Sequence, residues 1–117
     1  MSIKRLHVGQ RMSQVVVHNG IVYLAGQVAQ NAPGRPVADQ TQDILDSIDE
    51  FLQQAGTDKS RLLTAQIWLA DISTFDEMNQ VWDAWISPDN APTRACVESK
   101  LAFPKFTVEI MVTAALT

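Results

Sequence analysis

At 117 residues, with 46% hydrophobic and 19% charged side chains, the chain is sized for one domain with a real core and is too short for two. A net charge of −4 and a pI near 4.9 argue against a surface built to bind phosphate backbones. The single cysteine excludes an internal disulfide and fits a reducing cytosol, and no apolar run approaches membrane-spanning length. The first ten residues, MSIKRLHVGQ, lack the apolar core of a signal peptide, so a cytoplasmic protein with neither membrane nor nucleic-acid partners is expected.

In chain order, a short strand is an option over residues 4–8. Residues 15–24 (VVVHNGIVYL) predict a hairpin, because Asn19-Gly20 between β-branched runs suits a type I′ turn. The Pro- and Gly-rich segment 31–39 reads as a loop feeding a helix over 39–55. In that helix Ile44, Leu45, Ile48, Phe51, Leu52 and Ala55 share one face, and Gly56 supplies the C-terminal cap. Its acidic residues form a solvated face.

Residues 62–69 alternate as a strand, with Ala65, Ile67 and Leu69 set against Gln66 and Trp68. Ser73 or Thr74 is expected to cap a second helix with Phe75, Met78, Trp82, Trp85 and Ile86 buried, and Pro88 ends it. The tryptophans are expected to pack in the core. Two strands follow within 91–115, and Pro104 in the KLAFPK segment suggests that a hairpin joins them. Two helices on one face of a single mixed sheet would leave the other face apolar and uncovered, which predicts self-association.

Those last strands carry the residues that need explaining. Arg94, Cys96 and Glu98 share parity on one strand, and Glu109 interrupts the apolar series Val108, Ile110, Val112 on the other. With Ser99 facing Phe106, Cys96 would fall opposite Glu109 and Arg94 would lie further along the same face. A structural salt bridge and a small polar pocket both satisfy that pattern. As a pocket, the guanidinium fork would hold a carboxylate and the glutamate would steer a water towards an electrophilic carbon. Nucleotide loops and a serine-hydrolase elbow are absent from the sequence, and neither His7 nor His18 has a partner at metal-ligand spacing. No histidine is placed to activate Cys96, which reads as a small buried thiol.

At these residues the chain resembles the RidA (YjgF/YER057c) family of reactive-intermediate deaminases. Pro92-Thr93-Arg94-Ala95-Cys96-Val97 and Val108-Glu109-Ile110 are similar to its C-terminal signature. Ala25-Gly26-Gln27 resembles its SGQ segment, and residues 75–85 resemble its second helix. The resemblance implies an α+β, chorismate-mutase-like fold (one mixed sheet, two helices on one face) assembled as a homotrimer with sites between subunits. It implies hydrolysis of 2-imino acids or their enamine tautomers to 2-oxo acids and ammonia, with no cofactor and no metal. Arg94 would bind the substrate carboxylate and Glu109 would position water; Cys96 and Gly26 would offer backbone contacts, with Asn79 near the cleft. Met12 stands where the family's better-known deaminases carry a tyrosine, which marks a divergent paralogue with a wider or more apolar pocket. Non-catalytic binding of 2-oxo or other small carboxylic acids is the alternative reading. A ribonuclease role, also associated with the wider family, is disfavoured by the acidic balance.

Overall fold

A computed structural model describes residues 2–117. The strands are β1 (Lys4–Val8), β2 (Ser13–His18), β3 (Ile21–Leu24), β4 (Leu62–Leu69), β5 (Thr93–Glu98) and β6 (Val108–Ala115); the helices are α1 (Val37–Ala55) and α2 (Phe75–Trp85). They form one mixed six-stranded sheet in the order β1-β2-β3-β6-β4-β5. Asn19 and Gly20 both take positive φ, 53° and 76°, and let His18 pair with Ile21 across the expected turn. Gly56 closes α1 in the left-handed conformation. The short strand at the amino terminus forms and pairs with β2.

The core lies between one sheet face and the two helices. Val15, Val22, Leu24, Ile67, Leu69 and Ile110 meet Ile44, Leu45, Ile48 and Leu52 of α1 and Met78 and Trp82 of α2. Trp85 Nε1 donates to Asp49 Oδ2 at 2.9 Å, tying the helices together. Gln40, fully buried, fastens the long loop before β6. Its Nε2 donates to the carbonyls of Arg35 (2.9 Å) and Lys105 (3.0 Å), and its Oε1 accepts from the Thr107 amide (2.9 Å).

Three local expectations change. Asp71, not Ser73 or Thr74, supplies the capping carboxylate ahead of α2, accepting from the Ser73 amide at 2.9 Å in a short 3-10 turn. Phe75 is 37% exposed instead of buried. Trp68 is half-buried on the sheet face away from the core, at the register position of Glu109.

The larger correction concerns the last two strands. They do not form a hairpin. β5 pairs in parallel with β4, while β6 runs antiparallel between β4 and β3. A parallel neighbour needs a long crossover, and the segment carrying α2 provides it. Residues 99–107 must then pass over the end of β4 to start β6, so Pro104 lies in a crossing loop and not in a tight turn.

Candidate functional site: two polar clusters on opposite sheet faces

The topology separates Arg94 from Glu109. Arg94 aligns with Ala65 and Val112, whose side chains face the core; Glu109 aligns with Trp68, which faces away. The two residues therefore project from opposite faces of the sheet. They are three positions apart along the strands and two strands apart across them, about 14 Å between Cα atoms for ordinary sheet spacing. Among the described residues Arg94 forms no salt bridge, so an ion pair with Glu109 within one chain is excluded.

The first cluster is built on β5 and α2. Phe75, Asn79 and Trp82 follow one another at helical spacing and so share a stripe. The Arg94 guanidinium carbon lies 5.8 Å from the Phe75 ring centroid and 5.3 Å from that of Trp82, and Nη1 donates to Asn79 Oδ1 at 2.7 Å. This shelf fixes the planar fork by cation–π attraction and one hydrogen bond, leaving other donors for an anion. Cys96, two residues on and half-buried, shares this face; burial raises its thiol pKa, and the opposing pull of Arg94 is weaker. The thiol is not an activated nucleophile.

The second cluster is a cleft of about 370 Å³ beside Glu109, bordered by Met12, Gly26, Phe51, Phe103 and His7. Its floor is set by a backbone requirement. A Cβ on Gly26 would overlap Glu109 Oε2 and come within 3.1 Å of Cδ, so only glycine leaves room for the carboxyl in this position. Partial burial raises the Glu109 pKa above the ordinary carboxylate value. His7 takes an unusual φ of 53°, hydrogen-bonds Gln54 Oε1 through Nε2 at 2.5 Å and packs its ring 5.2 Å from Phe51. Among the described residues no three His, Cys, Asp or Glu side chains gather at metal-binding range.

The residues singled out by sequence thus divide cleanly. Arg94, Cys96 and Asn79 form one group, and Glu109, Gly26 and Met12 form the other. Sequence reasoning missed the roles of Phe75 and Trp82, although their spacing about Asn79 was a readable signal. His7, Phe51 and Phe103 gave none, because they converge only in three dimensions.

Comparison with known proteins agrees on lineage. The Endoribonuclease L-PSP family model matches residues 2–116. The chain belongs to the RidA (YjgF/RutC) family. A RutC family protein of Haemophilus ducreyi is 46% identical over 114 residues, covering 97% of each chain. Another, YoaB of Escherichia coli, is 40% identical over 99% of this chain and 100% of its own. A YjgF-family crystal structure from Neisseria meningitidis superposes with a TM-score of 0.96 at 43% identity, covering 100% of this chain and 97% of the other. The single mixed sheet with two helices is thus the RidA-family fold. No helix among the described residues is long and apolar enough to cross a membrane.

Proposed function

We propose that this RidA-family protein hydrolyses 2-imino acids, or their enamine tautomers, to 2-oxo acids and ammonia at sites shared between subunits of a cytoplasmic homotrimer. The observation that carries the reading is the division of the two clusters. One chain presents an arginine fork with no acid partner among the described residues, and on its other face a carboxyl of raised pKa in a cleft. Each is half of a site for a small carboxylic acid, and a second copy supplies the missing half.

In this arrangement Arg94 of one subunit binds the substrate carboxylate, with Asn79, Phe75 and Trp82 holding its orientation. Glu109 of the next subunit accepts a proton from water as the water oxygen bonds to C2 of the iminium, and the C=N electron pair moves to nitrogen. The resulting carbinolamine takes that proton on its amino group. Its hydroxyl then gives up a proton to the freed Glu109 carboxylate as the C–N bond breaks, leaving the 2-oxo acid and ammonia, which takes that proton from Glu109 as it leaves. A carboxyl whose pKa is raised is the stronger base for this step. Cys96 and Gly26 contribute backbone contacts.

The test generates imines in situ with an amino-acid oxidase and traps them with semicarbazide. Wild type is expected to suppress semicarbazone formation. Arg94→Ala abolishes the effect, and Glu109→Gln slows it about 10²- to 10⁴-fold. Wild type that leaves semicarbazone yield unchanged across several precursors overturns the enzyme reading. If a 2-oxo acid nevertheless binds in an Arg94-dependent way, the protein is a binding module.

A further inference from the structure

Two amide side chains beside Glu109 have no part in the reaction as drawn above. Gln14, near the start of β2, and Gln27, just beyond β3, both line the Glu109 cleft. Val15 is buried in the core, so its neighbour Gln14 points to the opposite sheet face, the one that carries Glu109. Gln27 is only 8% exposed and is clamped to β6 next to the acid. Its amide donates to the Ile110 carbonyl at 2.8 Å, and its carbonyl accepts from the Ile110 amide at 3.0 Å.

A backbone group fixes the direction of this amide pair. Gln27 Nε2 lies 3.0 Å from the Ala25 carbonyl, which can only accept, so the nitrogen of that amide must stand there and its oxygen cannot. The same nitrogen lies 2.8 Å from the end of Gln14, which must then offer its oxygen. Gln14 Nε2 is left as the outward end, with its N–H donors unpaired among the described residues, and Gln27 Oε1 is left as an acceptor. Among the described buried and half-buried residues, Thr107 Oγ1 is the one shielded side-chain N or O without a partner. The free ends of Gln14 and Gln27 are therefore accessible, in the cleft that both line.

We propose that Gln14 is a catalytic residue whose Nε2–H donates to the oxygen on C2 as the carbinolamine collapses, and that Gln27 is the positioning residue that aims it. Glu109 removes the hydroxyl proton as the C–N bond breaks, and negative charge gathers on that oxygen while the carbonyl forms. A carboxylate cannot stabilise that charge; an N–H held in place does so without giving up its proton. These contacts all lie within one chain, so the donor stays beside Glu109 whichever copy supplies Arg94. The proposal deepens the deaminase reading and rests on it for turnover, while binding of the 2-oxo product reads the same hydrogen bond without turnover.

The experiment compares wild type with Gln14→Met, of similar size and without a donor, and with Gln14→Glu, which still accepts from Gln27 but has no donor at neutral pH. Trapping of the imine made from 2-aminobutyrate gives kcat and KM. Calorimetry gives affinities for 2-oxobutanoate and for butanoate, which lacks the oxygen on C2. Both variants should lose about 10²-fold in kcat with KM within about threefold. In Gln14→Met the preference for 2-oxobutanoate over butanoate should fall about 2- to 10-fold while butanoate affinity holds. A merely structural role would weaken both acids alike. In wild type, the nitrogen-15 signal of the Gln14 side-chain amide should shift with 2-oxobutanoate and not with butanoate, a readout that needs no variant to fold. Turnover with kcat unmoved in Gln14→Met, or an amide signal that answers both acids equally, overturns the assignment and leaves deamination standing. No turnover by wild type, but a 2-oxo preference that Gln14→Met loses, overturns deamination and upholds the donor. No turnover, with no 2-oxo preference or one that survives in Gln14→Met, overturns both.

Discussion

A site divided between subunits makes a quantitative prediction that a site within one chain cannot mimic. Within a protomer, Arg94 and Glu109 are about 14 Å apart at their Cα atoms and project from opposite sheet faces, with β4 between their strands. No rotamer change brings them onto one small substrate. Arg94→Ala and Glu109→Ala chains should each be inactive alone, because every site in either homo-oligomer lacks one residue. Co-expressed with different tags and assembled by chance, they form mixed trimers in which roughly one site in three draws both wild-type residues, one from each chain. Mixed oligomers, isolated through both tags and assayed by imine trapping, should recover a substantial fraction of wild-type turnover, while singly tagged pools stay at background. If each site used Arg94 and Glu109 of the same chain, every site in every mixture would carry one lesion. Background activity in mixed oligomers, beside an active wild type, would therefore refute the shared-site reasoning.

Other outcomes follow from single contacts. Gly26→Ala should displace the Glu109 carboxyl by about 1 Å, costing about 10²-fold in kcat. Its melting temperature should barely move, because a flexible carboxylate end can swing away; retention of full activity would show that the carboxyl position is unimportant. Gln40→Leu strands the Thr107 amide and the Arg35 carbonyl, a loss of about 2–4 kcal/mol or a drop of roughly 10 °C in Tm, measurable by calorimetry. Glu109 has a raised pKa, so the folded state binds more protons than the unfolded one between the ordinary and raised values. Stability from this group is complete below the ordinary value and is lost as pH rises through the raised one. Glu109→Gln should accordingly raise Tm at about pH 7.5, with the gain shrinking towards about pH 4; a gain independent of pH would contradict the burial penalty.

Local patterns carried most of the secondary structure, and pairing carried the error. The Asn19-Gly20 turn, the α1 stripe with Gly56 and the alternation in β4 all act within a few residues, so periodicity reveals them. Sheet order depends on which strands a crossover brings together, and no local pattern reports that. The shared parity of Arg94 and Cys96 held, because it is a property of one strand. The parity assumed between Arg94 and Glu109 failed, because β4 lies between their strands. Trp68 shows the same limit from the other side: its alternation against Ala65 and Ile67 already pointed it away from the core, but nothing local placed Glu109 beside it.

The uncovered sheet face connects folding to function. Tyr23, Met111 and Val97 stand there, each more than 40% exposed, with Trp68 beside them. A protomer that keeps this surface in water forgoes apolar burial, and under the shared-site proposal it also carries only half-sites. Association onto the same face would remove both deficits in one event. Tyr23→Glu separates this idea from a purely catalytic one, since Tyr23 belongs to neither polar cluster. Burying its charge without a partner would cost several kcal/mol per subunit, enough to shift the equilibrium towards monomer. Sedimentation should show the smaller species, circular dichroism should show an intact sheet and helices, and turnover should fall in proportion to the oligomer lost. A monomeric Tyr23→Glu protein with wild-type turnover would mean that one chain holds a complete site, against the separation of Arg94 from Glu109.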